Sequence, residues 1–182
     1  MGLIDTHAHL DDNNFDIDRE QVIPDAEQAG ICSIINVGTN LASSRGSIEL
    51  AEAHKIIWAA VGLHPHDAST LNEDNWKEFV SLIRHKKVVA IGEVGLDYYR
   101  MLSPKDVQQI VFRRFIELAK GVNLPIIVHS REAHEDTLQI LKEEQPEKGV
   151  LHAFSGDMQV LRAGLDLGFY ISITGTVTFK KS

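Results

Sequence analysis

Two histidines near the N-terminus stand where a short apolar strand would end. The segment LIDTHAHLDD places His7 and His9 two positions apart, directly after the run LID. Alternate residues of a β-strand point to the same face, so both imidazoles can reach one ion while Ala8 points the other way. Imidazole is a ligand of zinc and of other divalent transition metals. One such pair does not define a metal site, so the other strand ends decide the interpretation.

Side chains of the same chemistry follow other apolar runs of the chain. His64 and His66 close IIWAAVGLHPH, and Glu93 lies in VVAIGEVGLD. His129 ends LPIIVHS, and His152 lies in GVLHAFSG. Such side chains at the ends of five predicted strands are not expected by chance. The residues that the sequence predicts to bind metal are His7, His9, Glu93, His129 and His152.

Glu93 is central to this prediction because a carboxylate has two oxygens and can bridge two ions. Two divalent ions roughly 3.5–4 Å apart suit hydrolysis, because they activate water near neutral pH and neutralise developing negative charge. His64 and His66 are interpreted as ligands, as substrate contacts or as hydrogen-bond partners of ligands. Asp5 is expected to support the neighbouring histidines.

Arg131 follows His129 and Ser130 directly. Its guanidinium can bind a substrate phosphate through two N–H groups. It can equally cap a helix or pair with Glu135, and the sequence leaves these interpretations open. The acidic pair that follows His9, Asp11 and Asp12, is expected to form a solvated turn.

β-Branched apolar segments alternate with amphipathic segments along the whole chain. This alternation predicts a parallel sheet, either a closed βα barrel or a doubly wound open sheet. In both architectures ligands bind beyond the carboxyl ends of the strands, which is where these histidines and Glu93 are expected. The helix over 103–123 is expected to have Ser103 as its N-cap and Pro104 at its first position. The predicted strands cover 2–7, 31–38, 56–66, 88–97, 124–130, 149–156 and 169–175, and the predicted helices cover 17–30, 41–54, 72–87, 103–123, 131–146 and 157–168.

The bulk properties predict a single domain over residues 1–182, with 43% hydrophobic residues and a formal net charge of −8. An acidic protein is not expected to bind nucleic acid by a broad electrostatic surface, so any phosphate substrate must be attracted locally. The N-terminus lacks the regions of a signal peptide, and no apolar run approaches the roughly 20 residues of a membrane span. The single cysteine leaves no internal disulfide. These features predict a cytoplasmic protein without a membrane partner.

Five segments occur in one order along the chain: IDTHAHLD, VGLHPH, AIGEVGLDYY, PIIVHSREA and LHAFSG. In sequence and spacing they resemble the TatD family of metal-dependent deoxyribonucleases, within the amidohydrolase-like superfamily. The resemblance covers essentially the whole chain and implies a TIM-type (β/α)8 barrel with two metal ions. It implies that His7, His9 and Glu93 hold one ion, and that Glu93, His129 and His152 hold the second.

The same resemblance implies hydrolysis of DNA, typically by 3′-5′ exonuclease action on single strands with magnesium, manganese or zinc. It places His64 near the scissile phosphate. The family pattern continues into an eighth strand that ends in ETD, whereas this sequence stops after the seventh predicted strand. Because such barrels usually run to about 250 residues, we expect an incomplete barrel that is a fragment or a prematurely ended chain. Without the ETD aspartate we expect slower hydrolysis, with His64 as one candidate base.

Other functions are compatible with the sequence. A barrel hydrolase can act on C–N bonds, lactones or small phosphoesters, because a fold does not fix its substrate. Many such relatives carry a modified lysine where this chain has Glu93, so the resemblance favours the nuclease. A catalytically impaired chain would instead be a metal-binding or interaction module whose open edge strands pair with another chain. No obligate protein partner is evident, and self-association through those edges is the expected alternative.

Overall fold

The computed structural model describes residues 2–180 as a parallel sheet with helices along the connections. Strands and helices alternate as the hydrophobic pattern predicts. The strands are β1 (Leu3–Ala8), β2 (Ile31–Val37), β3 (Ile57–Val61), β4 (Val88–Asp97), β5 (Ile126–Arg131), β6 (Gly149–Leu151) and β7 (Tyr170–Ile171). The α-helices are α1 (Arg19–Gln28), α2 (Leu41–Ala53), α3 (Glu73–Leu82), α4 (Lys105–Val122), α5 (His134–Glu144) and α6 (Met158–Asp166). Short 3-10 helices cover Asn13–Phe15, Pro65–Thr70 and Gly175–Thr178.

The order of the strands decides between the two architectures that the sequence allows. The seven strands pair in chain order from β1 to β7, and every pair is parallel. A doubly wound sheet would reverse its strand order at a switch point, whereas a βα barrel keeps the order of the chain. The fold is therefore an α/β half-barrel of the TIM type with seven strands, as predicted.

The apolar core is divided between the two faces of the sheet. A large cluster fills the space between the strands and the helices, where Phe79 of α3 and Phe115 of α4 pack edge to face with ring centroids 5.3 Å apart. The opposite face carries a smaller cluster, formed by one side chain from each of four neighbouring strands: Val37, Ala60, Ala90 and Ile127. With both faces apolar, these strands read as continuous hydrophobic runs rather than as alternating ones.

Several predicted boundaries are longer than the observed elements. β3 ends at Val61, and the segment that contains the two histidines of GLHPH forms a loop and a 3-10 helix instead of extending the strand. Ser103 is not the N-cap of α4, because Pro104 occupies that position with extended backbone angles. The Ser103 hydroxyl instead donates to the carbonyl of His66 at 2.8 Å and accepts from the amide of Ser69 at 3.0 Å. The β3–α3 loop is thereby fastened to the start of α4.

Within residues 2–180, the helices are too short or too polar to cross a lipid bilayer.

Candidate metal centre

The carboxyl ends of β1, β4 and β5 bring the predicted ligands together. Glu93 of β4 is 4% exposed and lies between the histidines of β1 and His129 of β5. Gly95 is paired with His129 in the sheet and has φ +141°, and a Cβ atom there would lie 2.0 Å from the His129 carbonyl oxygen. Only glycine fits this close approach, which lets β4 and β5 present their side chains to one point.

The first group of donor atoms consists of His7, His9 and Glu93. The two Nε2 atoms lie 3.1 Å apart, and Glu93 Oε2 lies 3.3 Å from His7 Nε2 and 3.8 Å from His9 Nε2. Ligand atoms held at 2.0–2.1 Å from a tetrahedral ion lie roughly 3.3 Å from one another. The spacing of these three atoms therefore fits a single divalent ion.

Hydrogen bonding fixes which nitrogen His9 offers to an ion. His9 Nδ1 lies 2.8 Å from the carbonyl oxygen of Val37, which can only accept, so Nδ1 carries the proton and Nε2 is free to bind. His7 differs, because its buried Nδ1 atom has no hydrogen-bond partner among the described residues. Hydrogen bonding therefore fixes the ring of His9 but not the ring of His7.

The second group consists of His64, Glu93 and His129. His129 Nδ1 lies 2.8 Å from Glu93 Oε1 and 3.3 Å from His64 Nε2. His64 Nε2 lies 4.0 Å from the same carboxylate oxygen. Glu93 therefore presents one oxygen to each group, which is the bridging arrangement that the sequence suggests.

A buried carboxylate orients the ring of His129. Asp97 is fully buried, and its Oδ2 accepts hydrogen bonds from His129 Nε2 at 3.1 Å and from His66 Nε2 at 3.0 Å. The side-chain oxygen of Gln108, itself buried in the core-facing side of α4, accepts from the Asp97 amide at 2.8 Å. With Nε2 held by a carboxylate, Nδ1 of His129 is the atom directed at Glu93, as in many carboxylate–histidine–metal arrangements.

Charge and burial set the protonation of this side of the centre. Burial would raise the pKa of Glu93, but hydrogen bonds from His129 and His7 outweigh it and hold the pKa well below its usual range. Burial opposes the charged form of His129, yet the hydrogen bonds and charges of Glu93 and Asp97 raise its pKa. A cation between the carboxylates is therefore favoured, and a divalent ion bound there would displace the Nδ1 proton of His129.

His64 is placed as a hydrogen-bond donor. The backbone amide of His66 donates to His64 Nδ1 at 3.2 Å, so a neutral His64 carries its proton on Nε2. Burial lowers the pKa of His64 to about 3, and Glu93 only partly offsets this effect. The ring is thus neutral near pH 7, with an N–H directed at the second group.

His152 lies beside the first group rather than within the second. Its ring stacks on the ring of His7, with centroids 3.3 Å apart and an interplanar angle of 11°. Burial, followed by the nearby His7, lowers its pKa to about 4, so His152 is neutral and can act as a ligand. The geometry does not join it to Glu93 and His129, and its role as a ligand stays a prediction.

The remaining predicted residues take up defined positions around the centre. Arg131 neither caps a helix nor pairs with Glu135 among the described residues, and its guanidinium lies over the ring of Tyr99. Asp5 accepts from the amide of His7 at 3.0 Å, consistent with the supporting position expected for it. His66 lies behind the second group, where it contacts Asp97.

The two aspartates that were predicted to form a solvated turn, Asp11 and Asp12, differ in their surroundings. Asp12 caps the 3-10 helix that follows, as a turn residue does. Asp11, however, accepts hydrogen bonds from Asn36 Nδ2 at 2.7 Å and from Ser43 Oγ at 2.5 Å. Asn36 is fully buried on β2, and its side-chain oxygen also accepts from the amide of Leu10. A polar residue inside the apolar run SIINVG is the sequence signal for this anchor of the loop after β1.

Comparison with known proteins identifies the family of the chain. The sequence model of the family described as TatD related DNase matches residues 4–182. The chain is 46% identical to YabD of Bacillus subtilis, which is described as an uncharacterized metal-dependent hydrolase, over 99% of this chain and 71% of that protein. It is 39% identical to the 3′-5′ ssDNA/RNA exonuclease TatD of Pantoea ananatis, over 96% of this chain and 68% of that protein. Among solved structures, the TatD homologue YjjV of Escherichia coli matches with a TM-score of 0.92 and 33% identity, over 99% of this chain and 71% of that one.

Proposed function

The chain belongs to the TatD family of metal-dependent hydrolases, and we propose that it hydrolyses phosphodiester bonds in single-stranded DNA from the 3′ end. The observation that carries the proposal is Glu93, a buried carboxylate that presents one oxygen to each of two histidine groups. Relatives such as that of Pantoea ananatis bear the name 3′-5′ ssDNA/RNA exonuclease, which supports this class of substrate.

The donor atoms fit two divalent ions. His7, His9 and Glu93 would hold one ion. Glu93 and His129 would hold the second, and His152 is the further ligand proposed for it. Imidazole ligands favour zinc and other late transition metals, whereas magnesium and manganese prefer oxygen ligands. Ions bound there would supply Lewis acidity that activates water and neutralises charge on the phosphate.

The side chains around the ions have separate roles in the proposal. His64 donates its Nε2–H to a nonbridging phosphate oxygen, because the amide of His66 holds Nδ1 as an acceptor. This tautomer does not suit His64 as the base that the sequence left open for it, since Nε2 has no free lone pair. His66 fixes Asp97 and the loop that carries His64. Arg131 supplies local positive charge to a protein with a net charge of −8.

The first test is nucleotide release from a 3′-labelled single-stranded DNA oligomer, with added divalent metal or with a chelator. We expect metal-dependent release by the wild-type chain and a loss of at least about 100-fold in Glu93→Ala, because both groups share this carboxylate. The matched control is Glu117→Ala on the exposed face of α4, which should behave as wild type.

Release that survives the chelator, or that is equal in Glu93→Ala and wild type, would indicate a contaminating nuclease and count against the proposal. No release by the wild-type chain under any metal would contradict it for this chain. The family assignment, which rests on the sequence and the fold, would not change.

A further inference from the structure

An exposed aromatic–cation pair lies at the rim of the metal centre. Tyr99 follows β4 and is 55% exposed. Arg131, the last residue of β5, is also exposed, and its guanidinium carbon lies 3.9 Å from the centroid of the Tyr99 ring. A flat aromatic ring and a planar cation in contact with it are therefore both exposed to solvent.

The sheet places this pair directly beside the proposed ligands. Arg131 lies two residues beyond His129 on β5, so both side chains leave the same face of the strand. Two residues of a strand span about 7 Å. Asp97, the partner of His129, is paired with Arg131 in the sheet and precedes Tyr99 by two residues. Both members of the pair therefore lie two residues beyond His129 and its carboxylate partner.

A second stacked pair in the molecule shows what a structural version looks like. Arg114 lies over the ring of Trp76 at 4.1 Å, but its guanidinium also forms two hydrogen bonds with the carboxylate of Glu73, at 2.9 Å and 3.2 Å. Trp76 is half-buried and packs edge to face on Phe115, with centroids 5.2 Å apart. The cation of that pair has a carboxylate partner and its ring has an aromatic partner, so the pair belongs to the packing between α3 and α4.

The pair at the rim lacks these partners. Within residues 2–180, Arg131 forms no ion pair, although Glu132 and Glu135 are close to it in sequence. The neighbouring segment adds the exposed cation Arg100 and the exposed apolar side chain of Leu102, which is 64% exposed. The protein has a net charge of −8, yet this rim carries an unpaired cation beside exposed apolar surface. These are features of a ligand-binding surface.

We propose that Tyr99 and Arg131 form a nucleotide subsite, in which one unpaired base stacks on the pair and the guanidinium edge binds the adjoining phosphate. This subsite deepens the proposed nuclease function and rests on it. Stacking on an aromatic ring is tolerant of base identity, because every base has a π-face, and arginine adds a cation–π contribution. A base within a duplex already stacks on its neighbours, so the subsite selects single strands.

The test measures binding separately from cleavage. Fluorescence anisotropy reports the Kd of a labelled, phosphorothioate-linked oligothymidylate in the presence of divalent metal, and of an abasic oligomer with the same backbone. We expect Tyr99→Ala to weaken binding of oligothymidylate by about 5-fold or more, the effect of one lost base stack. Tyr99→Phe should stay within about twofold of wild type, since the ring is retained.

Two further variants separate the ring from the charge. Arg131→Lys keeps the cation but loses the planar group, so it should weaken oligothymidylate binding more than binding of the abasic oligomer. Tyr170→Ala is the matched control, because Tyr170 is a tyrosine 77% exposed on β7, away from this rim. Thermal unfolding of each variant verifies that it is folded.

The outcomes distinguish the subsite from the proposed function. Oligothymidylate binding by Tyr99→Ala that equals wild type would overturn the subsite, even if the wild-type chain cleaves DNA. An equal loss for oligothymidylate and for the abasic oligomer would also overturn it, because Tyr99 would then only hold Arg131 in place. A third outcome is that Tyr99→Ala loses affinity only for oligothymidylate, while the wild-type chain binds DNA but does not cleave it. This outcome would support the subsite and count against the nuclease.

Discussion

The two sides of the metal centre are held by different means. On the β4–β5 side, His129 is fixed from behind by the buried carboxylate of Asp97, which Gln108 in turn holds in place. On the β1 side, His9 is oriented by a backbone carbonyl, and Nδ1 of His7 has no partner among the described residues. The β4–β5 side is therefore organised by buried side chains before an ion binds, whereas the β1 side is held by fewer hydrogen bonds.

The difference follows from the position of the strands in the sheet. β4 and β5 lie in the middle of the sheet, and α4 packs against β4, where it contributes the side chain of Gln108 to the layer behind the site. β1 pairs only with β2 within the described residues, and its apolar residues Leu3 and Ile4 are 65% and 58% exposed. A central strand supports its ligands with buried polar side chains, whereas a strand at the edge has fewer neighbours to do so.

The variant Asp97→Asn tests this comparison with the largest expected effect. The amide keeps the size of the side chain but provides only one acceptor oxygen and no charge, so the ring of His129 loses its fixed tautomer. Loss of such a partner typically lowers metal affinity 10–100-fold. We expect this loss for one of two binding events in a calorimetric titration with zinc, while the event at His7 and His9 is retained.

Gln108→Glu is the companion variant for Asp97→Asn. A second carboxylate beside Asp97 cannot donate to the carbonyl groups that Gln108 now binds, at 3.1 Å for Asp97 and 2.7 Å for Ser103. It should weaken the same binding event by a smaller factor. If Asp97→Asn weakened both events equally, the two sides would not be independent and the comparison would be wrong.

The variant Asn36→Ala tests the β1 side and should affect stability more than metal binding. It removes the hydrogen bond that each of three groups now forms with Asn36: the amide of Leu10, the carboxylate of Asp11 and the hydroxyl of Ser47. We expect the free energy of unfolding to fall by about 2 kcal/mol, the usual cost of unpaired buried polar groups.

Urea unfolding of the metal-free chain measures this loss. Because Asn36 anchors the loop after His9 and its side-chain hydrogen bonds go to Leu10, Asp11 and Ser47, zinc affinity should fall less than the tenfold that marks the Asp97 variant. Ser47→Ala, which removes a single contact of Asn36, is the control and should cost about 1 kcal/mol. A tenfold or larger loss of zinc affinity in Asn36→Ala would show that the loop also sets the geometry of the ligands.

The same comparison explains what the sequence could and could not predict. Alternating elements determine where strands end, so His7, Glu93 and His129 could be assigned to one edge of a parallel sheet from their positions alone. The links of Asn36 to Asp11 and of Asp97 to Gln108 join residues 25 and 11 positions apart, and they depend on tertiary packing. Each nevertheless leaves a local trace, because Asn36 interrupts an apolar strand and Gln108 lies on the apolar face of a helix.

Element boundaries were predicted less well for a related reason. The run IIWAAVGLHPH remains apolar beyond Val61, but the chain leaves the sheet there, and His64 reaches the site from a loop. Ser103 and Pro104 resemble a helix start, yet the Ser103 hydroxyl is used by the preceding loop. Local patterns cannot show which of two partners a hydroxyl will choose.

His134 supports the smallest predicted effect, because it lies outside both ligand groups. It is the first residue of α5, and its Nδ1 lies 2.9 Å from Ser130 Oγ. Burial lowers its pKa, and the charge of Asp157 offsets this only in part. A histidine that binds a proton less readily when folded than when unfolded makes the unfolding free energy fall as pH drops below its unfolded pKa of 6.5.

Replacing this group by His134→Gln should therefore flatten the acid side of the stability profile without changing zinc affinity near neutral pH. Urea unfolding of the metal-free chain between about pH 7.5 and about pH 5 measures the profile. At about pH 7.5 the wild-type histidine is mostly neutral in both states, so the variant should differ there by less than about 1 kcal/mol, the value of one hydrogen bond. Part of the slope should persist, because burial also lowers the pKa of His64 and His152. An unchanged slope in His134→Gln would show that His134 does not contribute to the acid sensitivity.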